Sequence, residues 1–228
     1  TPSQSRMVIN QRPKANDGKA QIRSRELVFQ QDTEVLEFKG QTQLNRVDGT
    51  NAASTVVRGG HGTWNLKSGL LQAPGPVQAI RSDGRTLSAS GLDGNTRQGY
   101  LDLQQPVTLV LESDRGRITA GRTRWLFSAE QLESDQPIQA ELKNSKVQGR
   151  GFKLDQRTGT VIISNSCRVE QTLETLTAQR CAWNWRNERV VADGDVVLQR
   201  TEPEQITRAS RMEARISENG EVRFGQAG

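Results

Sequence analysis

The chain has 228 residues, of which 33% are hydrophobic, 4% aromatic and 25% charged. No run approaches the roughly 18 apolar residues that a membrane-spanning helix needs, which argues against a membrane-embedded protein. Lysine and arginine outnumber aspartate and glutamate by 31 to 26, and the charged residues are scattered along the chain. A net charge of +5 is small for a dedicated nucleic-acid binder.

Apolar residues alternate with polar ones in several short runs, which is the pattern of strands that bury one face. The clearest runs are residues 36–38, 101–103, 107–111, 161–163 and 196–198. Turn-forming pairs such as Asp83-Gly84 and Asp193-Gly194 separate the runs at short spacing. The pattern predicts an antiparallel meander of short strands.

One segment also has helical spacing. Val169, Leu173, Leu176 and Trp183 lie roughly on one helical face, and residues 160–193 are rich in good helix formers. By local pattern alone, helix and strand are equally favoured there. The internal repeats decide for strand.

Four short segments share one frame. Residues 118–125 (ITAGRTRW) and 176–183 (LTAQRCAW) are the clearest copies, and residues 22–29 and 57–64 are weaker ones. The first apolar residue and the aromatic residue are an odd number of positions apart, so a regular strand would point them to opposite faces. We therefore expect a bulge or bend inside each copy.

Longer segments repeat as well. Residues 64–103 match residues 125–163 in the placement of tryptophan, proline and glycine, with an offset of about sixty residues. A repeated unit of short strands buries its apolar face by stacking against its neighbours. The sequence therefore predicts a tandem all-β array.

The motifs resemble a known family. Residues 134–140 (SDQPIQA) followed by residues 147–155 (VQGRGFKLD) resemble the core of the LptC family of lipopolysaccharide-export proteins. Residues 22–44 and 176–198 resemble the related OstA/LptA unit. The chain departs from the LptC pattern in its length, since an LptA-like extension follows about residue 165.

The resemblance implies an all-β fold, an elongated β-jellyroll of two facing antiparallel sheets with an open apolar groove. One jellyroll would span residues 1–228, with 1–20 poorly ordered or an edge strand, LptC-like repeats over about 21–164 and an LptA-like extension over about 165–228. Alternation and repeat frame place these residues in the groove: Phe29, Leu36, Phe38, Trp64, Leu109, Leu111, Ile118, Trp125, Phe127, Ile138, Leu142, Phe152, Ile163 and Trp183.

The resemblance also implies a role in lipopolysaccharide transport and outer-membrane biogenesis. The groove would hold lipopolysaccharide acyl chains, which gain about 0.8 kcal/mol for each methylene hidden from water. The protein would lie in the periplasm, tethered to the inner membrane by a helix before Thr1. Its N-terminal edge, near residues 21–29, would accept lipid from an inner-membrane ABC transporter. Its C-terminal edge, near residues 206–224, would pass lipid to an LptA-like jellyroll, and edge-strand pairing would also allow a homo-oligomer.

The two cysteines have two alternative interpretations. Cys167 and Cys181 are symmetric about Glu174, so a hairpin that turns there would bring them opposite each other. In an oxidising periplasm they would then form a cross-strand disulfide. The other reading is a pair of buried thiols.

No enzyme chemistry is predicted. His61, the single histidine, lies among glycines and is predicted to be a loop or strand-end residue. No metal, cofactor or nucleic-acid partner is expected. The first alternative function is a carbohydrate- or matrix-binding β-solenoid module at the cell surface, with its tryptophans exposed as a flat platform. A weaker alternative is single-strand nucleic-acid binding by interleaved arginines and aromatics.

Overall fold

The computed structural model describes residues 6–10, 14–16, 20–46, 55–111, 116–142, 144–216 and 222–225. All regular elements in these ranges are β-strands, and the recorded pairings are antiparallel. The predicted all-β antiparallel fold is confirmed, and strands also form over residues 160–193, where helix was the alternative. The described ranges hold no helix that could cross a membrane.

The chain divides into two compact units, Thr1–Ser113 (unit 1) and Asp114–Gly228 (unit 2). The boundary expected near residue 165 falls inside a strand of unit 2, β17. The described strands of unit 1 are β1 (Arg6–Asn10), β2 (Lys14–Asn16), β3 (Ala20–Arg23), β4 (Glu26–Gln30), β5 (Val35–Arg46), β6 (Thr55–Asn65), β7 (Leu70–Ala73), β8 (Val77–Arg81), β9 (Thr86–Ala89), β10 (Leu92–Asn95), β11 (Tyr100–Leu103) and β12 (Val107–Val110).

The described strands of unit 2 are on average longer. They are β13 (Arg117–Ala120), β14 (Thr123–Leu126), β15 (Gln131–Leu142), β16 (Ser145–Asp155), β17 (Thr160–Glu170), β18 (Glu174–Ala178), β19 (Arg180–Asn184), β20 (Arg189–Thr201), β21 (Glu204–Ile216) and β22 (Val222–Gly225).

Long strands change partners halfway along, and this builds two layers in each unit. The first half of β15 pairs with β14 and its second half with β13, and the register against β16 shifts between Ser134 and Pro137. The register of β5 against β6 shifts in the same way between Lys39 and Thr42. Each such shift is a corner where the strand passes from one layer to the other.

We name the layers by their strands. In unit 1, layer A holds β1, β4, β7, β10, β11 and residues 35–39 and 61–65, while layer B holds β2, β3, β8, β9, β12 and residues 42–46 and 55–59. In unit 2, layer A holds β14, β19, β22 and residues 131–134, 152–155, 160–163, 189–193 and 211–215, while layer B holds β13, β18 and residues 137–142, 145–150, 165–170, 196–201 and 204–209.

The resemblance implied an N-terminal edge near residues 21–29, with residues 1–20 either poorly ordered or an edge strand. The described residues before Ala20 form edge strands. β1 pairs with β4 and β2 pairs with β3, so two earlier strands extend both layers of unit 1 beyond those residues.

The bend expected inside each sequence copy is confirmed. The copies at 22–29, 118–125 and 176–183 each span two strands separated by a break, and the copy at 57–64 lies in β6 where its register against β5 shifts. The break reverses the alternation, so both ends of a copy face inward. Ile118 and Trp125 are accordingly both buried.

Turns recur with half the period that the sequence suggested. Residues with positive φ end a turn at Glu34, Gly69, Gly99, Glu130, Gly159 and Glu188, which lie about thirty residues apart. The offset of about sixty residues is therefore two hairpin periods. Phe29, Trp64, Trp125 and Trp183 each stand five residues before such a turn.

Candidate functional site

The candidate site is the space between the inner faces of the two layers. In layer A of unit 2, cross-strand partners form an unbroken apolar row of directly opposed side chains: Trp125, Leu132, Leu154, Val161, Trp183 and Val190. A matching row in layer B contains Ile118, Ala140, Val147, Val169, Leu176 and Leu198. Because opposed residues in a sheet point to the same face, each layer presents an apolar surface.

The predicted groove residues lie in the interior of their units. The buried ones are Leu36, Phe38, Trp64, Leu109, Leu111, Ile118, Trp125, Ile138, Leu142, Phe152 and Ile163. Phe29, Phe127 and Trp183 are half-buried. Phe127 lies in the turn after β14 and not on a strand, and it packs edge-to-face on Trp125 with ring centroids 6.2 Å apart.

Both layers of unit 2 border one small cavity. Its walls are Ala140, Leu142, Val147 and Val169 from layer B, Val161, Ile163, Cys181, Trp183 and Val190 from layer A. The space measures about 30 Å³, which is room for about one water molecule. Apolar side chains from both inner faces therefore line this part of the predicted groove of unit 2 and leave little space between them.

Sequence reasoning found only part of this lining. Leu142, Ile163 and Trp183 were named, whereas the lining valines and Ala140 were not. The lining could have been predicted by counting every second residue along each strand, starting from the corner of that strand. Val161 and Ile163, for example, lie two residues apart on the same side of the corner of β17.

Trp183 carries the one polar atom that stands out in this interior. Its indole Nε1 is buried and has no hydrogen-bond partner among the described residues. A buried donor without a partner costs roughly 1–3 kcal/mol. Its ring packs edge-to-face on Trp185, with centroids 6.3 Å apart, repeating the Trp125–Phe127 pair.

The two cysteines meet at a corner of unit 2. The Sγ atoms of Cys167 and Cys181 face each other there as a disulfide pair. They are not direct cross-strand partners, since Cys167 faces Ala178 and Cys181 faces Ile163. The breaks in β17 and between β18 and β19 bring them together, so the bond would join layer B to layer A.

Unit 1 has a tightly packed interior around Trp64. Its side chain is 1% exposed, and its Nε1 donates a hydrogen bond to Thr96 Oγ1 at 3.2 Å. Beside it, Phe38 lies over Gly62, where a Cβ would come within 2.5 Å of the phenyl ring. Glycine at position 62 is therefore required for the ring to pack.

The tryptophans do not form an exposed platform. Trp64, Trp125 and Trp185 are buried and Trp183 is half-buried, which removes the flat surface that a carbohydrate-binding module of the kind considered would need. The same burial weakens the nucleic-acid alternative, because no tryptophan is exposed for bases to stack on beside the arginines.

His61 lies inside β6 and not in a loop. It is exposed at the strand's corner and lines a cleft of about 580 Å³ with Glu37, Lys39 and Asp93. No group of three or more His, Cys, Asp or Glu side chains that could hold a metal ion occurs in the described part of the chain.

Comparison with known proteins gives little further information. No family model matches the chain, and no curated protein matches it. Among solved structures, the chain is similar to the crystal structure of LptH, described as the LptA-homologous periplasmic component of the conserved lipopolysaccharide transport device from Pseudomonas aeruginosa. The identity is 11%, the match covers 99% of this chain and 96% of that one, and the TM-score is 0.20. At an identity and a TM-score this low, the similarity carries no information about function.

Proposed function

We propose that the chain is a periplasmic lipid-binding component of lipopolysaccharide transport, which shelters acyl chains between the two layers of its β-sheet units. The carrying observation is the cavity in unit 2, whose walls are apolar side chains from both layers. The motifs at residues 134–155 and the OstA/LptA-like copies agree with this role.

Acyl chains can enter this cavity only if its walls move apart, because the cavity holds about one water molecule. The layers share continuous strands at the corners, so the corners would act as the hinge and the turns at the far ends would form the mouth. Each methylene that moves from water into this interior would contribute about 0.8 kcal/mol of binding free energy. This gain offsets the apolar contact that the two layers lose when they separate.

The Trp183 indole suits a lipid that carries an ester or amide carbonyl. Its buried N–H has no partner in the unliganded interior, and a carbonyl oxygen near the head of an acyl chain would accept its hydrogen bond. Lipid binding would then satisfy a donor that folding leaves unpaired. The proposal includes transfer of lipid to and from partner proteins at the edge strands of the sheet, by strand addition.

Tryptophan fluorescence tests the proposal. Lipopolysaccharide should shift the tryptophan emission to shorter wavelength, because acyl chains would cover the part of the half-buried Trp183 ring that water still contacts. The same polysaccharide stripped of its acyl chains should cause no shift. Trp183→Phe should lose most of this wavelength shift, although the other three tryptophans still emit.

Two outcomes would contradict lipid binding by this interior. One is an equal shift with the deacylated polysaccharide, which would indicate a saccharide-binding protein. The other is a full shift in Trp183→Phe, which would place the lipid elsewhere.

A further inference from the structure

An open cleft lies on the outer face of layer B in unit 1. It has a volume of about 1090 Å³, and its polar walls include Arg23, Arg25, Arg58, Gln43, Gln78 and Ser88. We call it the arginine cleft. None of the described residues that line it is acidic.

Strand register aligns the polar side chains of the arginine cleft. Arg23 is the cross-strand partner of Gln43, Gln43 of Arg58, Arg58 of Gln78, and Gln78 of Ser88. All five therefore point to the same, outer face of layer B. Arg23 and Arg58 are separated by one strand, so their Cα atoms are roughly 10 Å apart.

The third arginine is held at the corner. Arg25 packs over Gly40, where an added Cβ would meet the arginine Cβ at 3.3 Å. Ser24 Oγ donates to the carbonyl oxygen of Lys39 at 2.8 Å and lies 2.8 Å from Thr42 Oγ1, so hydroxyl groups fix the backbone between Arg23 and Arg25. The arginines thus project from a fixed backbone.

Within the described ranges of unit 1, these arginines have no acidic partner, unlike other arginines of the unit. No ion pair or side-chain hydrogen bond joins Arg23, Arg25 or Arg58 to any other residue that the structure describes. At the hairpin between β8 and β9, by contrast, Asp83 pairs with Arg85 and Arg81 at 2.5 and 3.2 Å. Burial alone would raise the pKa of Asp83, but its hydrogen bonds and these charges lower it overall.

Three guanidinium groups in one cleft repel each other unless an anion lies between them. Arginine matches the oxygens of a phosphate group with paired N–H donors. The amides of Gln43 and Gln78 and the hydroxyl of Ser88 are neutral groups that suit sugar hydroxyls. The volume exceeds that needed for inorganic phosphate alone.

We propose that the arginine cleft binds a phosphorylated saccharide. Arg23 and Arg58 contact phosphate oxygens, and the glutamines contact the sugar. Arg25 lines the end of the cleft at the corner of β5. The site lies on the opposite face of layer B from the apolar interior, so it does not depend on acyl-chain binding. The saccharide is either soluble or the headgroup of a glycolipid, and the chemistry of recognition is the same.

Isothermal titration with glucose 1,6-bisphosphate tests the site without an acyl chain. Each of Arg23→Gln and Arg58→Gln should weaken binding about tenfold, and the double variant about a hundredfold. Arg58→Lys should also weaken binding, since an ammonium group cannot make the paired contact. The control is Arg157→Gln with Arg180→Gln, two exposed arginines of unit 2 whose loss changes the net charge equally.

Binding that falls equally in the control and in the cleft double variant would reduce the effect to overall charge and overturn the proposal. Absence of binding to the wild-type chain would overturn it too. A second arm uses phosphatidylcholine vesicles that carry phosphatidylinositol 4-phosphate. Vesicle binding that requires Arg23 and Arg58 supports a lipid headgroup as the source, and binding of the soluble sugar alone supports a free saccharide.

Discussion

Replacing Trp64 by alanine is expected to lower the free energy of unfolding of unit 1 by about 3–5 kcal/mol. The indole is 1% exposed, and its direct cross-strand partners in layer A are Leu36 and Leu71. Alanine would leave a cavity that the neighbouring strands cannot fill, and it would leave Thr96 without the hydrogen bond from Nε1. Denaturant titration followed by circular dichroism measures the loss.

Two matched variants separate the causes. Trp64→Phe keeps most of the ring and should lose about 1 kcal/mol through the hydrogen bond, together with a smaller loss of packing. Leu70→Ala, on the neighbouring strand β7, should change stability by less than about 0.5 kcal/mol, since Leu70 is 54% exposed. Hydrogen exchange should show faster opening in β5, β6 and β7, the strands that carry Trp64 and its cross-strand partners. Equal losses for Trp64→Ala and Leu70→Ala would contradict the assigned packing.

Removing the bond between Cys167 and Cys181 is expected to destabilise unit 2 by about 3 kcal/mol. The two residues are 14 positions apart, and a loop of that length loses considerable entropy when it is closed in the unfolded chain. Both side chains are buried, but alanine removes only one sulfur atom at each position, so most of the local packing is kept. The measurement is the denaturation midpoint of the wild-type chain with and without dithiothreitol, beside the Cys167→Ala, Cys181→Ala double variant.

The double variant should resemble the reduced wild type and should not respond to dithiothreitol. Lipid binding should survive the loss of the bond, because the bond lies at a corner where the layers are already joined by continuous strands. A wild-type midpoint that reduction leaves unchanged would show that the cysteines are not bonded.

Sequence patterns predicted the strand content because alternation and turn pairs act over a few residues. They also predicted the bend in each repeat copy, since only a break in the strand can place Ile118 and Trp125 on one face. The thirty-residue turn period was harder to recognise. Three of its six positive-φ positions are glutamates, Glu34, Glu130 and Glu188, and not the glycines that usually mark such turns.

Other features depend on distant pairing and leave no local signal. The division into two units and the pairing of β1 with β4 and of β2 with β3 are properties of the sheet register. The arginine cleft combines residues from several strands, so Arg23 and Arg58 become neighbours on one face only after the sheet has formed. The unpaired indole N–H of Trp183 likewise becomes visible only with the packed interior.

Photo-crosslinking from the two inner faces of unit 2 tests the central claim most directly. A photoreactive amino acid at Ile138 probes layer B, one at Phe152 probes layer A, and one at the exposed Arg157 is the control on the same unit. With lipopolysaccharide, Ile138 and Phe152 should both give adducts on the acyl chains, located by mass spectrometry, and Arg157 should give none. Adducts from Arg157 in the same yield, or none from either inner face, would contradict lipid binding between the layers.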